Sequence, residues 1–171
     1  KVEGCKKIII FGIWYDMRNI QINTKKIGPN HPVYFIADIA ANHDGDLERA
    51  KDLIYFCAEA GADAAKFQQF TAKTIVSDRG FKSLGMQQSH QSKWEKSVFD
   101  VYQDASLNQD WTSILKETCD KAGITFLTSP YSYELVDEVY NFIGAYKVGS
   151  GDITWLGIID RIASKKKPIL L

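Results

Sequence analysis

The chain has 171 residues, 45% of them hydrophobic, and its lysines and arginines together equal its aspartates and glutamates in number. This composition supports one sizeable core, and the zero net charge excludes a broad electrostatic attraction to nucleic acid or to an anionic membrane. The longest strongly apolar run, Ile8–Trp14, is far shorter than the roughly 20 residues that a membrane-spanning helix needs.

Both ends of the sequence suggest a longer parent protein. Residues 1–16 precede Met17, a plausible initiator, and share no periodicity with the later residues, so we interpret them as a non-native or upstream leader. In Lys165–Leu171 a lysine run, interpreted as a solvated loop, leads into a strand that opens at Pro168. We therefore expect the chain to stop in the middle of its fold.

A short β-ribbon is predicted for residues 17–32. Its strands are Arg18–Ile22 and Lys25–Ile27, joined by an Asn-Thr turn, and a Gly-Pro-Asn sequence ends it. The apolar run Val33–Ala37 comes directly after it. We predict it to be the first strand of the core.

The first predicted helix lies between two core strands. Asp46 suits its N-cap, and Gly61 comes after its last residue, Ala60, where a glycine commonly closes a helix. Apolar residues recur in between at the three-and-four spacing of an amphipathic helix. The next core strand is predicted at about Asp63–Phe67.

A long excursion, residues 70–106, comes after this strand. Within it Trp94, Val98, Phe99 and Tyr102 indicate one short amphipathic helix. Connections of this length are uncommon inside compact domains and often form lids or binding loops. We expect the excursion either to cover a ligand or to pack on the rim of the domain or on a neighbouring subunit.

The remaining elements continue the same alternation. Asn108 and Ser132 suit the N-caps of two helices that flank a strand at Ile124–Leu127. A further strand is predicted at Ala145–Val148, and a helix over Trp155–Ser164 comes after it.

Strands and helices therefore alternate throughout, with crossovers long enough for parallel pairing. The fold class is α/β, and we predict a (β/α)8 (TIM) barrel truncated to about its first four and a half β/α units, over residues 33–171. A doubly wound open sheet is the alternative. It is disfavoured because no Gly-x-Gly-x-x-Gly turn comes after the first core strand.

Polar and charged residues cluster where the predicted strands end. Polar groups at the carboxyl ends of parallel strands form the active site of a β/α barrel, so this recurrence predicts an enzyme. The clusters are Asp38 with Asn42–Asp46, Lys66–Gln69, Thr128–Pro130 and Lys147–Asp152.

These clusters supply both positive charge and hydrogen-bond donors. Lys66 and Lys147 provide the charge, and Ser129 and Ser150, with the backbone amides of the Gly149–Gly151 turn, provide the donors. A snorkelling surface lysine is the alternative for each lysine, but Phe-Gln comes after Lys66 without a turn, which favours burial. Helix capping alone explains Ser132.

The order and spacing of these motifs resemble the N-acetylneuraminate (sialic acid) synthase family, which includes synthases of legionaminic and pseudaminic acids. The resemblance runs from about Ile20 to Leu171. It is carried by Ile27–Asp38, Asn42–Asp46, Lys66-Phe67-Gln68, Thr128–Ser132 and Lys147–Asp152.

The resemblance implies a condensation of phosphoenolpyruvate with an N-acetylated hexosamine (N-acetylmannosamine or a diacetamido-hexose), giving a sialic-acid-type nonulosonic acid and releasing phosphate. Phosphoenolpyruvate carries a carboxylate and a phosphate, so several cations and donors in a small space suit it. The implied catalytic residues are Asp38, Lys66 and Lys147, and the implied substrate-binding residues are Gln68, Ser129, Ser150 and Asp152.

Aspartate stands at two positions where the family has glutamate. Asp38 is one methylene shorter, which moves a carboxylate by about 1.5 Å on a fixed backbone. Either the backbone compensates or the acceptor sugar differs. Asp152 either contacts the acceptor or the metal, or caps the next helix.

The resemblance also implies a divalent cation, Mn²⁺ or Mg²⁺, and a homodimer for the intact protein. Because the family's metal-binding histidines lie beyond Leu171, we assign no metal ligand in this chain and interpret His43 as a residue that shapes its loop. The implied substrates and the zero net charge predict small molecules as partners, and neither nucleic acid nor a membrane. The three cysteines lack metal-site spacing and indicate buried thiols in a reducing compartment, the cytoplasm.

Two alternatives remain open. Another phosphoenolpyruvate- or keto-acid-using barrel synthase or aldolase is compatible with the strand-end lysines, one of which could form a Schiff base. A non-catalytic fragment is the other, because an incomplete barrel leaves the edge strand at Pro168 unpaired. We therefore expect this chain alone to be inactive and either to aggregate or to pair with itself.

Overall fold

The computed structural model describes residues 7–10, 13–16, 19–83 and 95–171. Two antiparallel hairpins come first. Lys7–Ile10 (β1) pairs with Ile13–Asp16 (β2), and Ile20–Ile22 (β3) pairs with Lys25–Ile27 (β4). The division of the chain into a leader, a ribbon and a barrel domain stays a prediction.

A five-stranded parallel sheet forms the centre of the molecule, and its strands are adjacent in the order of the sequence. A doubly wound sheet would reverse its strand order, so the sequential order confirms the predicted partial (β/α)8 barrel. The strands are Ile36–Ala40 (β5), Ala64–Gln69 (β6), Thr125–Pro130 (β7), Tyr146–Lys147 (β8) and Ile169–Leu170 (β9).

Helices connect these strands and cover one face of the sheet. In its described residues the excursion after β6 contains three helices where the sequence predicted one. The predicted contribution of Trp94 lies outside the described residues. The helices are Leu47–Glu59 (α1), Ala72–Ile75 (α2), Asp78–Ser83 (α3), Val98–Asp104 (α4), Trp111–Ala122 (α5), Tyr133–Glu138 (α6) and Leu156–Ala163 (α7).

The main core lies between the sheet and these helices. Alternate strand residues such as Phe67, Phe126 and Tyr146 are fully buried against Ile54 of α1 and Leu115 of α5. The period-two alternation of a strand sends the residues in between to the opposite face. That opposite face is the interior of the barrel.

The β3–β4 ribbon closes the barrel interior at the amino-terminal ends of the strands. Ile22 is fully buried and packs with Ala64, Leu127 and Ala145, which face inward from three consecutive strand segments. The side-chain amide of Asn23 also donates a hydrogen bond to Thr125 Oγ1. The ribbon is therefore an apolar floor beneath the inward-facing side chains.

Several predicted helix ends are confirmed. Asp46 caps α1, and its Oδ1 accepts hydrogen bonds from the backbone amides of Glu48 and Arg49 at 2.8 and 3.1 Å. Gly61 comes after the helix with φ +83°, in the left-handed region that glycine adopts without strain. Ser132 caps α6 by accepting from the Leu135 amide.

The first three core strands end later than predicted, whereas the fourth, Tyr146–Lys147, is shorter than the predicted Ala145–Val148. The first core strand is Ile36–Ala40 and not Val33–Ala37, and Val33 is 71% exposed. Asp38 therefore lies within β5, and Thr128–Pro130 belong to β7 instead of a turn after it. Polar residues that face the barrel interior continue the pairing but interrupt the apolar run by which a strand is found in a sequence.

Three further local predictions were also wrong. Asn108 does not cap α5, because its Oδ1 accepts from the Asp110 amide ahead of the helix. Asp152 does not cap α7, whose N-cap residue is Trp155. Lys167 is half-buried instead of solvated, since its Nζ donates to the carbonyl oxygens of Tyr140 and Ile143.

No helix within the described ranges is both long enough and apolar enough to cross a bilayer.

Candidate functional site

A cavity of about 400 Å³ opens at the carboxyl ends of β5 to β8. All seven residues predicted for the site from the sequence line it, and they come from four consecutive β/α units. They are Asp38, Lys66, Gln68, Ser129, Lys147, Ser150 and Asp152.

Strand pairing explains why these side chains converge. Asp38 lies opposite Lys66 in the β5–β6 pairing, and Gln68 lies opposite Ser129 in the β6–β7 pairing. Directly opposed residues of a sheet point to the same face. The inward face is thus apolar at the ribbon end and becomes polar toward the carboxyl ends of the strands.

Lys66 is a buried lysine in an ion pair. Its side chain is 9% exposed, and its Nζ lies 3.0 Å from Oδ1 and 3.2 Å from Oδ2 of Asp38. The Asp38 carboxylate is 61% exposed, so the buried ammonium meets a partner that is still in contact with solvent. The prediction that Lys66 is buried at the mouth of the barrel, instead of snorkelling, is confirmed.

Backbone irregularity in β5 accompanies this pair. The pairing of β5 with β6 shifts between Asp38 and Ala40, and Ala40 has φ +55°. A bulge of this kind bends a strand and re-aims its side chains.

Lys147 reaches the same cavity from β8. It is half-buried, and its Nζ donates a 2.5 Å hydrogen bond to the carbonyl oxygen of Val148. The chain then turns through Gly149 into a short 3-10 segment, Ser150–Asp152, where the Asp152 amide donates to Gly149 O. This turn places Ser150 and Asp152 beside the lysine.

Asp152 is a half-buried carboxyl group of the cavity. Burial raises the pKa of Asp152 because it disfavours the charged form. Gly149 allows the close packing around it, since a Cβ there would lie 2.9 Å from Tyr131 Oη and 3.0 Å from Asp152 Oδ2 and would displace them. The carboxyl group and the phenol are therefore packed directly against the turn.

Ser129 offers a hydroxyl to the cavity. The residue is 1% exposed, and its Oγ has no hydrogen-bond partner within the described residues. An unpaired buried hydroxyl costs free energy unless something else binds it. Ser129 is therefore positioned to donate to a ligand in the cavity.

Tyr131 and Ile75 also line the cavity and were not predicted from the sequence. The amide nitrogen of Gln68 donates to Tyr131 Oη at 3.2 Å, and burial raises the pKa of the Tyr131 phenol. The place of Tyr131 directly after β7 was a signal that could have identified it. Ile75 comes from α2 in the excursion, and no feature of the sequence marks it.

His43 lies away from this cavity. It is fully buried, its Nδ1 accepts a hydrogen bond from the Gly45 amide at 3.1 Å, and its ring contacts Trp111 edge-on. Burial lowers the pKa of His43 and favours the neutral ring. These contacts shape the loop after β5.

The described residues contain no group of three or more His, Cys, Asp or Glu side chains arranged to hold a metal ion. Among those that line the cavity, only Asp38 and Asp152 supply carboxylates, and Asp38 is engaged by Lys66. The donor set of the described residues is therefore too small for a divalent cation, and no chemical step here is derived through one.

The fold and the cavity together define a β/α-barrel protein with a pocket of lysines, aspartates and hydroxyl groups at the carboxyl ends of its strands. A model of the NeuB family matches residues 53–171, and the chain belongs to that family.

Known relatives extend the match over nearly all of the chain. The N,N'-diacetyllegionaminic acid synthase of Legionella pneumophila is 30% identical over 155 residues, 90% of this chain and 43% of that protein. The crystal structure of an N-acetylneuraminic acid (sialic acid) synthetase from Leptospira borgpetersenii, in complex with citrate, has a TM-score of 0.73 at 25% identity, covering 90% of this chain and 48% of that one. The chain thus spans less than half the length of these relatives.

A more distant likeness concerns the fold alone. A truncated 3-deoxy-D-arabino-heptulosonate 7-phosphate synthase from Thermotoga maritima has a TM-score of 0.60 at 15% identity and covers 91% of this chain.

Proposed function

We propose that the intact protein condenses phosphoenolpyruvate with an N-acetylated hexosamine to form a sialic-acid-type nonulosonic acid, and that the described residues bind the phosphoenolpyruvate. One observation carries this proposal: Lys66, Lys147 and Ser129 line one cavity of about 400 Å³ with the Ser150 turn. Membership of the NeuB family supports the same reaction class.

The charges of the cavity suit the donor substrate. Phosphoenolpyruvate has two anionic groups on a three-carbon frame, and two ammonium groups can each meet one of them. Ser129 Oγ lacks a hydrogen-bond partner within the described residues and can donate to an anionic oxygen, as can Ser150 and the amides of its turn. Binding in a pocket that is partly closed to water strengthens each of these contacts.

The proposed reaction forms one carbon–carbon bond and one carbon–oxygen bond, the latter from water, and breaks the carbon–oxygen bond to phosphate. The methylene carbon of phosphoenolpyruvate attacks the aldehyde carbon of the open-chain sugar, whose oxygen takes up a proton. Water adds its oxygen to the carbon that carried the phosphate, and inorganic phosphate leaves. Lys66 and Lys147 bind the phosphate and the carboxylate and stabilise the negative charge on these groups during the reaction. Asp38 holds the Lys66 ammonium in place.

The acceptor is proposed to be N-acetylmannosamine or a diacetamido-hexose. The named relatives include a legionaminic acid synthase and a sialic acid synthetase, so either class fits. Gln68 and Asp152 line the same cavity as the two lysines, and we assign them to the acceptor. Burial raises the pKa of Asp152 above its ordinary value, which favours the protonated form of this carboxyl group.

A divalent cation, Mn²⁺ or Mg²⁺, and a homodimer belong to the same proposal for the intact protein. When bound, the cation would polarise the sugar aldehyde. Its ligands would have to come from parts of the intact protein other than the residues described here.

Donor binding can be tested on the intact protein without an acceptor sugar, so that no turnover occurs. We expect calorimetry to detect phosphoenolpyruvate binding that Lys66→Met or Lys147→Met weakens at least about tenfold, because each variant removes one charge-assisted contact. Lys73→Met, at an exposed lysine on α2 that does not line the cavity, is the matched control. Equal affinities in all four proteins would contradict the proposal.

The reaction itself needs the intact protein. Phosphate should be released from phosphoenolpyruvate only when an N-acylated hexosamine is present. Borohydride trapping separates this reaction from a Schiff-base aldolase, because it captures a Schiff base covalently and the proposed reaction forms none. The ion pair of the Lys66 ammonium with Asp38 disfavours a Schiff base, which requires a neutral amine. Covalent capture of substrate on either lysine would favour the aldolase.

A further inference from the structure

A strained turn connects β5 to the loop that comes after it. The Asn42 amide donates to the carbonyl oxygen of Ile39 at 3.0 Å, which closes a four-residue turn. Ala40 is the second residue of this turn and has φ +55°. A positive φ at that position favours glycine, because the Cβ of another residue crowds the backbone there. The residue at position 40 therefore disfavours the conformation that the chain adopts, and contacts from elsewhere must hold it.

Arg49, in the first turn of α1, holds this loop from the helix. Its Nε donates to the carbonyl oxygen of Asn42 at 2.9 Å, and its Nη2 lies 3.1 Å from Oδ2 of Asp44. Asp44 also has a positive φ, +51°. One guanidinium group thus contacts both the last residue of the strained turn and a second residue in the left-handed region, and its planar set of donors suits such a two-point contact.

The strained turn also determines where Asp38 points. The pairing of β5 with β6 shifts between Asp38 and Ala40, so the left-handed Ala40 lies at the point where the regular strand ends. The Asp38 carboxylate meets Lys66 Nζ at 3.0 Å but is 61% exposed. Because an exposed side chain is not fixed by packing, its direction depends mainly on the backbone that carries it.

We propose that Arg49 is a positioning residue: by holding the turn after Asp38, it keeps the Asp38 carboxylate on the Lys66 ammonium. This inference rests on the proposed function, in which Asp38 holds the ammonium group that binds phosphoenolpyruvate. Arg49 is not among the residues that line the cavity, so it acts on the donor only through Asp38.

An ordinary surface ion pair is the alternative interpretation of Arg49. Such pairs contribute little, and the side chains of Arg49 and Asp44 are 54% and 67% exposed. The contact with the Asn42 carbonyl, next to a strained turn, distinguishes Arg49 from such a pair. Lys51 supplies the comparison, because it forms a 2.8 Å pair with Glu48 inside the same helix.

The test measures phosphoenolpyruvate binding to the intact protein by calorimetry, without an acceptor sugar. In Arg49→Met the released turn lets Asp38 leave Lys66. The affinity should therefore change in the same direction as in Asp38→Asn, which removes the carboxylate charge, and by about twofold to threefold. In the Asp38→Asn background Arg49→Met should change the affinity no further. Lys51→Met should bind as the wild type.

Ala40→Gly provides a second, independent variant. Glycine adopts a φ of +55° without strain, so the turn should persist in Ala40→Gly even when Arg49 is replaced. The double variant of Ala40→Gly with Arg49→Met should therefore recover the donor affinity of the wild type. Solvent exchange of the Asn42 amide measures the turn directly, and it should be about fivefold faster in Arg49→Met than in the wild type or the double variant.

The outcomes separate this inference from the proposed function. If phosphoenolpyruvate binds and Arg49→Met leaves its affinity unchanged, the inference is wrong and the proposed function stands. An effect of Arg49→Met that persists in full in the Asp38→Asn background, or that Ala40→Gly does not reverse, likewise overturns the inference. If the wild type does not bind phosphoenolpyruvate, both fail.

Discussion

The ion pair between Lys66 and Asp38 sets the charge that a ligand meets at the mouth of the barrel. The ammonium is buried, whereas the carboxylate remains largely exposed. A bound dianion and Asp38 therefore compete for the same positive charge. The strength of anion binding depends on the carboxylate as well as on the lysine.

Asp38→Asn tests this competition. Asparagine keeps an oxygen that accepts from Lys66 Nζ but removes the negative charge, so phosphoenolpyruvate should bind about threefold more tightly, the effect expected for a partly exposed charge pair. Calorimetry measures the dissociation constants. Asp78→Asn is the matched control, because it breaks a Lys–Asp pair of 2.7 Å on α3, away from the cavity. Weaker binding in Asp38→Asn would show that the carboxylate acts in another way.

Two glycines of one turn allow a matched pair of substitutions. Gly149→Ala must displace Tyr131 Oη and Asp152 Oδ2, whereas a Cβ at Gly151 meets nothing within 4 Å. Because the displaced atoms end flexible side chains, we expect Gly149→Ala to fold and to weaken phosphoenolpyruvate binding roughly fivefold, equivalent to about 1 kcal/mol. Gly151→Ala should bind as the wild type. Equal affinities would mean that the cavity tolerates movement of both groups.

At the scale of the elements, helices α6 and α7 are tied together by charge. Asp137 on α6 pairs with Arg161 on α7 and with Lys165 just after it. These cations lower the pKa of Asp137 to about 2. A carboxyl group whose pKa is lower in the folded chain than in the unfolded one stabilises the fold above its unfolded pKa, and this stabilisation is lost as the pH falls through the folded value.

Asp137→Asn should therefore be less stable than the wild type at neutral pH, and the difference should disappear as the pH falls from about 4 to about 2. Urea unfolding at a series of pH values, monitored by circular dichroism, measures it. Asp52→Asn, on the exposed face of α1, serves as the control. A difference that stayed constant down to pH 2 would contradict the assignment of this pH dependence to Asp137.

At the scale of the whole molecule, the ribbon supports the barrel from below. Ile22 contributes the side chain that meets the inward faces of the sheet, while Ile20 on the same strand is 39% exposed. The two isoleucines differ in burial but share strand, residue type and neighbouring sequence.

Ile22→Ala should therefore lower the free energy of unfolding by about 2–5 kcal/mol, the usual cost of a cavity left by a fully buried isoleucine. Ile20→Ala should cost less than about 1 kcal/mol, because little area is lost from the core. Chemical denaturation of the two variants provides the comparison. Similar losses would show that the ribbon does not form the floor of the barrel in solution.

Much of this architecture could be predicted from local patterns. Apolar runs identified the core strands, and Asp46 and Gly61 identified the two ends of the first helix. Both could be predicted because strand burial and helix capping depend on a few adjacent residues. The strand ends were misplaced, since inward-facing residues such as Asp38 and Ser129 look like loop residues in a sequence while they continue the pairing.

Part of the candidate site could also be predicted from the sequence. The residues at strand ends lie together because parallel strands end at one edge, which the order of the motifs already implied. The place of Ile75 in the cavity depends on how the excursion folds back over the sheet. Such contacts between distant segments have no local signature.

The hydrogen bond from Asn23 to Thr125 spans 102 residues of chain. The ribbon can gain its contacts only after β6, β7 and the segment before β8 have assembled. Closing so long a loop costs entropy, and only these long-range contacts offset that cost. Amide protons of β3 should consequently acquire protection from solvent exchange in the last phase of refolding. A hairpin near the start of the chain thus reports when the sheet is complete.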